Sequence, residues 1–314
     1  MTTVDVARDL DRLRAALQEP RLTYFGFSYG SLIGTQYAGL FPDKVRALVL
    51  DGPIDPTQTL EQRDEAQAVA FSQALDRFLA DCASRLSCPF QNGGRTAAAF
   101  DALMAHIDAT PLPATATGDP RLVGPGEAFT GVLASLYSRA TWSVLAQGLA
   151  LAQRGDGSIL LLLADAYNER DADGTYSNSA AANNAVNCTD YVVPTDVGAY
   201  EALAPKLEKV APRFGIVIAY SGLTCAFWPV HAKRDPGEIT AAGAPPILIV
   251  GTTGDPATPY SWAINLARQL RSGVLVTRNG EGHTGYSDSE CIRQIVDRYL
   301  VMLQVPVANT ICES

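Results

Sequence analysis

The chain has 314 residues, of which 47% are hydrophobic and 18% are charged, and its formal net charge is −9. A chain of this length buries either one large core or two ordinary ones. The acidic balance argues against nucleic acid or an anionic membrane surface as the main partner. The longest candidate for an apolar membrane span, 159–164, is far shorter than the roughly 18 residues that a transmembrane helix needs.

The first predicted elements alternate between helix and strand. Apolar residues near helical spacing predict a helix over 3–18. A short apolar and aromatic run, 22–27, is typical of a strand, and the motif Gly26-Phe27-Ser28-Tyr29-Gly30 overlaps its end. Small residues then predict a helix over 31–40, and the continuous apolar run 45–50 predicts a parallel strand that is buried on both faces.

The middle of the chain is predicted to be mostly helical, with helices at 61–82, 96–107, 126–138, 141–154 and 158–169. Two stretches are predicted to be loops: 111–125, which is rich in Pro, Gly and Thr, and 174–187, which is rich in Ser and Asn. Strand-like runs return only at 246–251 and 273–277, and a helix over 292–303 closes the chain.

This order of elements favours one α/β domain with a helical insertion over two sequential domains. We place the first part of the α/β core at 1–56 and its last part at 241–314. The insertion between them, 57–240, is predicted to form a large helical cap.

The glycine-flanked serine is the clearest chemical motif, although Gly-x-Ser-x-Gly alone is a weak signal. A strand precedes it and a small-residue helix follows, which is typical of the strained turn that exposes a nucleophilic hydroxyl. The pattern therefore predicts Ser28 as a nucleophile; the alternative is an ordinary glycine-rich turn. The backbone N–H of Tyr29 would then be one oxyanion donor. No glycine-rich loop precedes Ser28 to supply the second, because the predicted strand already begins at residue 22.

Only three histidines can serve as the base of such a serine. His106 lies in a predicted helix and His231 in a loop. His283 lies in a glycine-rich loop directly after the last predicted strand, which is where the base of a Ser–Asp–His triad is expected. We therefore predict His283 as the base.

Two aspartates compete for the acid of the triad. Asp255 follows the strand-like run 246–251, and Asp51 follows the run 45–50. The chain order of nucleophile, acid and base fits both residues. The glycines and prolines around Asp255 favour it, because they indicate a loop held in one shape.

The six cysteines form no Cys-x-x-Cys pair and show no zinc-ligand spacing with the histidines, so we predict neither a metal nor another cofactor. Disulfides are the favoured interpretation, and they indicate an oxidising compartment. The first ten residues read as the start of an amphipathic helix and not as a signal peptide. Either the thiols are free in the cytosol, or the natural N-terminus lies upstream of Met1.

Taken together, the motifs resemble the secreted tripeptidyl aminopeptidases of actinobacteria and their relatives, in the proline iminopeptidase branch of the α/β-hydrolases. The segments that carry the resemblance are Gly26-Phe27-Ser28-Tyr29-Gly30-Ser31, Leu50-Asp51-Gly52-Pro53, Asn187-Cys188-Thr189-Asp190, Cys225-Ala226-Phe227-Trp228-Pro229, Gly254-Asp255-Pro256-Ala257-Thr258-Pro259, Gly282-His283-Thr284-Gly285 and Cys312-Glu313. They span essentially the whole chain.

The resemblance implies an α/β-hydrolase fold with a mostly parallel sheet and a helical cap, and a triad of Ser28, Asp255 and His283. It also implies a secreted or cell-envelope protein with the disulfides Cys82–Cys88, Cys188–Cys225 and Cys291–Cys312. Members of the family begin with a signal peptide, several strands and an oxyanion loop. This chain therefore resembles the C-terminal two-thirds of such an enzyme, with the N-terminal strands missing.

The function implied is that of a serine exopeptidase, which releases short peptides or amino acids from peptide N-termini through an acyl-enzyme. An exopeptidase must bind the α-ammonium of its substrate, and Asp190 is the candidate; the alternative is a hydrogen bond within the loop of Cys188. Trp228 is a candidate for lining an apolar subsite. Two other functions remain: a carboxylesterase or lipase of the same fold, and an incompetent fragment whose partner is the missing N-terminal segment.

Overall fold

A parallel sheet forms the frame of the protein. The computed structural model describes residues 1–313, which contain seven strands. They are β1 Leu22–Phe27, β2 Val45–Asp51, β3 Leu112–Ala114, β4 Asp119–Val123, β5 Ile247–Gly254, β6 Gly273–Glu281 and β7 Thr310–Glu313. Five of them line up in the order β1-β2-β5-β6-β7, and each neighbouring pair is parallel. The carboxyl ends of these strands therefore meet at one edge of the sheet.

The described residues also contain thirteen α-helices. These are α1 Thr3–Ala16, α2 Tyr29–Leu40, α3 Leu60–Ser84, α4 Thr96–Ala109, α5 Pro125–Ser135, α6 Trp142–Ala152, α7 Ser158–Tyr167, α8 Ser179–Asp190, α9 Val197–Val210, α10 Gly215–Ala219, α11 Leu223–Ala226, α12 Tyr260–Gln269 and α13 Glu290–Met302.

Helices cover both faces of the five-stranded sheet. Leu48 and Leu50 of β2 pack in a core cluster with residues of α1, α2 and α12, whereas Ala47 and Val49 pack in a second cluster with residues of α13. Because successive side chains of a strand point to opposite faces, a strand covered on both sides is apolar throughout. This confirms the parallel, doubly buried strand predicted from the run 45–50.

The chain divides into two compact units. One consists of Met1–Ala70 together with Asn183–Ser314 and holds the five-stranded sheet, and the other is Phe71–Ala182. The helices α3 and α8 each contribute residues to both units. The residues of the helical unit, 71–182, thus fall within the range predicted for the cap, 57–240, but cover only part of it. That this unit caps the active site stays a prediction.

The helical unit, Phe71–Ala182, has its own packing. Its helices α5 and α7 lie so close together that a Cβ at Gly131 would overlap the carbonyl oxygen of Leu160. Trp142 is buried and packs edge-on against Phe78, with 5.7 Å between the ring centroids. An antiparallel hairpin, β3–β4, lies beside these helices.

The two segments of the insertion that were predicted to be loops, 111–125 and 174–187, are loops only in part. Within 111–125 the structure forms the hairpin β3–β4, because Leu112, Ala114 and Val123 are buried on one side and Gly118 adopts the positive φ of 69° that its turn requires. Within 174–187 the structure forms the start of α8, where four alanines favour helix and offset the asparagines. The helices α9, α10 and α11 and the strand β7 were not predicted.

Three disulfides join the cysteines in the pairs that the resemblance implies: Cys82–Cys88, Cys188–Cys225 and Cys291–Cys312. The second connects α8 to α11, and the third connects α13 to β7. Among the described residues, no helix combines the length and the apolar character needed to cross a bilayer. Within 1–313, no three His, Cys, Asp or Glu side chains are grouped so that they could hold a metal ion.

The disulfides should differ in what they contribute to stability, because a longer closed loop removes more entropy from the unfolded chain. Cys188–Cys225 closes a separation of 37 residues, and Cys82–Cys88 one of 6. We expect the double variant Cys188→Ser/Cys225→Ser to lose about 4 kcal/mol of unfolding free energy and Cys82→Ser/Cys88→Ser about 2 kcal/mol. Urea titrations followed by far-UV circular dichroism measure both losses. Equal losses would contradict the loop-length argument.

Candidate active site

Ser28 lies at a sharp turn between strand β1 and helix α2, with φ 49° and ψ −119°. A residue with a side chain rarely adopts a positive φ, so this backbone is strained. The turn is tight because Gly26 and Gly30 pass close to each other: a Cβ at Gly26 would overlap the carbonyl oxygen of Gly30. The glycines of the motif are therefore required by geometry, and the turn has the shape of a nucleophile elbow.

Neighbouring segments hold the elbow in place. The N–H of Ser28 donates to the carbonyl oxygen of Asp51 at 2.9 Å, which joins the elbow to the end of β2. The hydroxyl of Ser31 donates to the carbonyl oxygen of Ser28 and accepts the N–H of Ile54 at 2.9 Å. Ser28 is consequently fixed against the loop that follows β2.

His283 and Asp255 form a close pair. Asp255 follows β5 and is only 3% exposed, and His283 follows β6. Nδ1 of His283 lies 3.0 Å from Oδ1 and 2.9 Å from Oδ2 of Asp255. Because a carboxylate only accepts hydrogen bonds, Nδ1 is the donor and the imidazole lone pair is left on Nε2. This is the tautomer that a general base toward a serine requires.

The remaining acceptor capacity of Asp255 is satisfied locally. Oδ1 accepts the N–H groups of Ala257 at 2.9 Å and Thr258 at 2.8 Å. Oδ2 accepts the hydroxyl of Thr258 at 2.8 Å and the N–H of Thr284 at 3.2 Å. A buried carboxylate with this many donors is held in one orientation, so the imidazole it binds is oriented as well.

Thr258 is a site residue that the sequence analysis missed. Its hydroxyl lies 3.2 Å from Nδ1 of His283 in addition to its bond to Asp255. The signal was present in the spacing, since Asp side chains often accept hydrogen bonds from residues two and three positions further on. Thr258 follows Asp255 by three positions and could have been found in this way.

The rival acid, Asp51, binds elsewhere. It is fully buried at the end of β2, and its carboxylate oxygens accept the N–H of Gly285 at 2.8 and 3.0 Å and the N–H of Tyr286 at 2.8 Å. Burial raises the pKa of the Asp51 carboxyl to about 6, although the two N–H groups act to lower it. Asp51 therefore contacts the backbone of the loop that carries His283.

Gly52 lies beside the imidazole of His283. Its φ is +62°, and a Cβ built on it would lie 3.1 Å from Cε1 of His283 and 2.9 Å from the hydroxyl of Thr258. The preceding residue, Asp51, accepts the N–H of Ser28. Asp51 and Gly52 thus lie against both the Ser28 elbow and His283, and Ser28, His283 and Asp255 follow the carboxyl ends of β1, β6 and β5.

Tyr29 is the first residue of α2, so its N–H has no acceptor within the helix and is available as an oxyanion donor. Its hydroxyl is paired with that of Thr3 at 2.9 Å. The other two histidines, His106 and His231, are both exposed. His106 belongs to the helical unit, which contains none of Ser28, Asp255 and His283.

Asp190 and Trp228, the two predicted substrate-binding residues, lie near α2. Asp190 is buried and accepts both the N–H of Thr3, at 2.9 Å, and the Thr3 hydroxyl. Burial raises its pKa, and the hydrogen bonds from Thr3 act to lower it. Trp228 is half-buried and packs in a cluster that includes Tyr29 and Leu32. A role in binding substrate stays a prediction for both residues.

Two family models match the sequence: the model described as alpha/beta hydrolase fold matches residues 1–92, and the model described as TAP-like protein matches residues 211–312. The chain has the α/β-hydrolase fold, and its C-terminal region is similar to the TAP-like family. The predicted fold class and family resemblance are thereby confirmed.

Several curated relatives are similar over 99% of this chain. Serine protease Hip1 of Mycobacterium tuberculosis is 38% identical to this chain, which covers 61% of the length of Hip1. Carboxylesterase B of the same organism is 39% identical, and the chain covers 60% of its length. Tripeptidyl aminopeptidase of Streptomyces lividans is 30% identical and 58% covered. The chain thus spans less than two thirds of the length of these relatives. Their names include both peptidases and an esterase.

The elbow geometry predicts that Gly26→Ala damages both fold and site. The added Cβ would overlap Gly30, so we expect a loss of about 1–3 kcal/mol of unfolding free energy and loss of fluorophosphonate labelling of Ser28. Thermal unfolding measures the change in stability, and intact mass after labelling measures the reactivity of Ser28.

Gly126→Ala is the matched control, because a Cβ at that helical position of α5 meets nothing within 4 Å. We expect this substitution to leave the free energy of unfolding unchanged or to raise it by up to about 1 kcal/mol. A Gly26→Ala variant that behaves like the control would refute the elbow argument.

Proposed function

We propose that this α/β-hydrolase is a serine exopeptidase that releases short peptides or amino acids from peptide N-termini through an acyl-enzyme on Ser28. The observation that carries the proposal is that Asp51 and Gly52 lie against both the Ser28 elbow and the imidazole of the Asp255–His283 pair. The relatives named serine protease and tripeptidyl aminopeptidase support peptides as the substrate class.

The proposed mechanism is acyl transfer in two steps. The Ser28 hydroxyl attacks the peptide carbonyl carbon while Nε2 of His283 takes its proton, and His283 then returns that proton to the leaving amine. Asp255 keeps the Nδ1 proton in place and stabilises the imidazolium. The N–H of Tyr29 stabilises the oxyanion. Water then attacks the acyl-enzyme with His283 as base, which releases the carboxylic acid and restores Ser28.

Recognition of a free peptide N-terminus requires an acceptor for its ammonium group. Asp190 is the proposed acceptor, and Trp228 is proposed to line an apolar subsite next to Tyr29. Because both oxygens of Asp190 accept hydrogen bonds from Thr3, an ammonium would have to share or replace these bonds. The pairing of all six cysteines supports an oxidising compartment, and we propose that the protein is secreted or held in the cell envelope.

A carboxylesterase of the same fold is the second candidate, favoured by the relative named Carboxylesterase B. A panel of tripeptidyl and aminoacyl p-nitroanilides, their N-acetylated forms and short-chain p-nitrophenyl esters separates the two functions. We expect amide cleavage that is lost on N-acetylation, and a fall of about 10⁶-fold in kcat for Ser28→Ala. Ester turnover without amide cleavage would support the esterase. A Ser28 that resists fluorophosphonate until a further N-terminal segment is supplied would support an incompetent fragment.

Replacing the acids tests their assignment. We expect Asp255→Asn to lower kcat/KM by about 10⁴-fold, because the amide would favour the wrong imidazole tautomer. Asp51→Asn should cost less, because Asp51 holds backbone and not the imidazole nitrogen. Steady-state kinetics of both variants, with folding checked by circular dichroism, measure the difference. A larger loss for Asp51→Asn would mean that Asp255 is not the acid.

A further inference from the structure

We infer that Asp51 is a positioning residue: it fixes the loop that carries His283 relative to the elbow that carries Ser28. This role rests on the proposed function and deepens it. It differs from the role of Asp255, which binds the imidazole itself.

The contacts of Asp51 extend in two directions. Its backbone carbonyl oxygen accepts the N–H of Ser28 at 2.9 Å. Its carboxylate accepts the N–H groups of Gly285 and Tyr286, which follow His283 by two and three positions, at distances of 2.8 to 3.0 Å. Asp51, at the end of β2, is therefore hydrogen-bonded both to the elbow of Ser28 and to the loop that carries His283.

The loop after His283 is held by two carboxylates in succession. Asp255 accepts the N–H of Thr284, and Asp51 accepts the next two N–H groups along the chain. Thr284 adopts a positive φ of 69°, a conformation that a threonine rarely takes unless its surroundings impose it. The pair of carboxylates is thus positioned to impose the path of this loop and, with it, the place of the imidazole.

The environment of Asp51 supports a specific role for its carboxyl group. The carboxylate is 0% exposed, and burying it is costly unless donors satisfy it. Asp255 and His283 are the charged or titratable groups that act on it most strongly, with opposite signs. From β6, Arg278 donates to the carbonyl oxygen of Thr284 at 3.2 Å and so holds the same loop from another side. An apolar residue would fill the site at lower cost but would release Gly285 and Tyr286.

Asp55 provides a matched control. It is also 0% exposed, and it lies four positions after Asp51 in the loop that follows β2. Its carboxylate accepts hydrogen bonds from Thr57, Asn265 and Gln269, none of which belongs to the loop of His283. Asp55→Asn therefore reports the general cost of changing a buried carboxylate in this region.

The kinetic test compares Asp51→Asn, Asp51→Ala and Asp55→Asn in the full chain. A misplacement of about 1 Å between catalytic groups lowers rates by about 10²-fold, so we expect kcat to fall 10- to 100-fold for the Asp51 variants. KM should change by less than about threefold, because the peptide-binding groups are untouched. Asn retains one acceptor oxygen for the two N–H groups, so Asp51→Asn should be milder than Asp51→Ala. Asp55→Asn should keep kcat within about twofold.

A spectroscopic test does not depend on turnover. The chain has three histidines, so the Nδ1 proton of His283 can be assigned by comparison with His283→Asn. Its hydrogen bond to Asp255 should give a far-downfield proton resonance that persists in Asp55→Asn and is weakened or lost in Asp51→Asn.

The outcomes separate the two proposals. If the resonance depends on Asp51 but no peptide or ester is cleaved, the proposed function fails and the positioning role stands. If Asp51→Asn and Asp51→Ala both retain the resonance and the wild-type kcat, the positioning role is refuted. If Asp55→Asn has the same effect as Asp51→Asn on both readouts, the effect is a general loss of packing and the positioning role is likewise refuted.

Discussion

Burial of two carboxylates at the carboxyl edge of a parallel sheet is the constraint on which this site depends. Asp51 ends β2 and Asp255 follows β5, the adjacent strand in the sheet, and both side chains are almost inaccessible to solvent. Charges in such positions require donors close by. The loop after His283 supplies them with three consecutive N–H groups. The hydrogen bonds that help to satisfy these two charges therefore also hold the loop that carries His283.

The strained elbow depends on the same edge of the sheet. A non-glycine residue with the backbone angles of Ser28 costs about 1–3 kcal/mol and persists only where its surroundings impose it. Three features impose it here: the contact of Gly26 with Gly30, the hydrogen bond from Ser28 to Asp51, and the two bonds made by the Ser31 hydroxyl. The first joins β1 to α2, and the hydrogen bonds to Asp51 and Ile54 join the elbow to the end of β2 and the loop after it, so packing against the parallel sheet stabilises the strain.

Much of this arrangement was predictable from the sequence, because its signals are local. The doubly buried strand β2 reads as a continuous apolar run, and the motif around Ser28 carries its own glycines. Non-local and marginal structure was not predictable. The strand β7 is short and owes its place to pairing with β6 and to the Cys291–Cys312 disulfide. The hairpin β3–β4 depends on a register that Pro113 and Gly118 obscure, and α8 depends on alanines whose helix propensity the neighbouring asparagines mask.

The roles of the two aspartates follow from their hydrogen-bond partners and not from their order in the sequence. Each follows a buried strand, and each stands between Ser28 and His283 in the chain, so chain order could not separate their roles. Geometry separates them by the atoms that they bind: Asp255 accepts from an imidazole nitrogen, and Asp51 accepts from backbone amides. A carboxylate on an imidazole sets its tautomer and charge, whereas one on backbone amides sets only the position of what they carry. Two adjacent strand ends of the parallel sheet thus place one carboxylate on the imidazole and the other on the backbone of the loop that carries it.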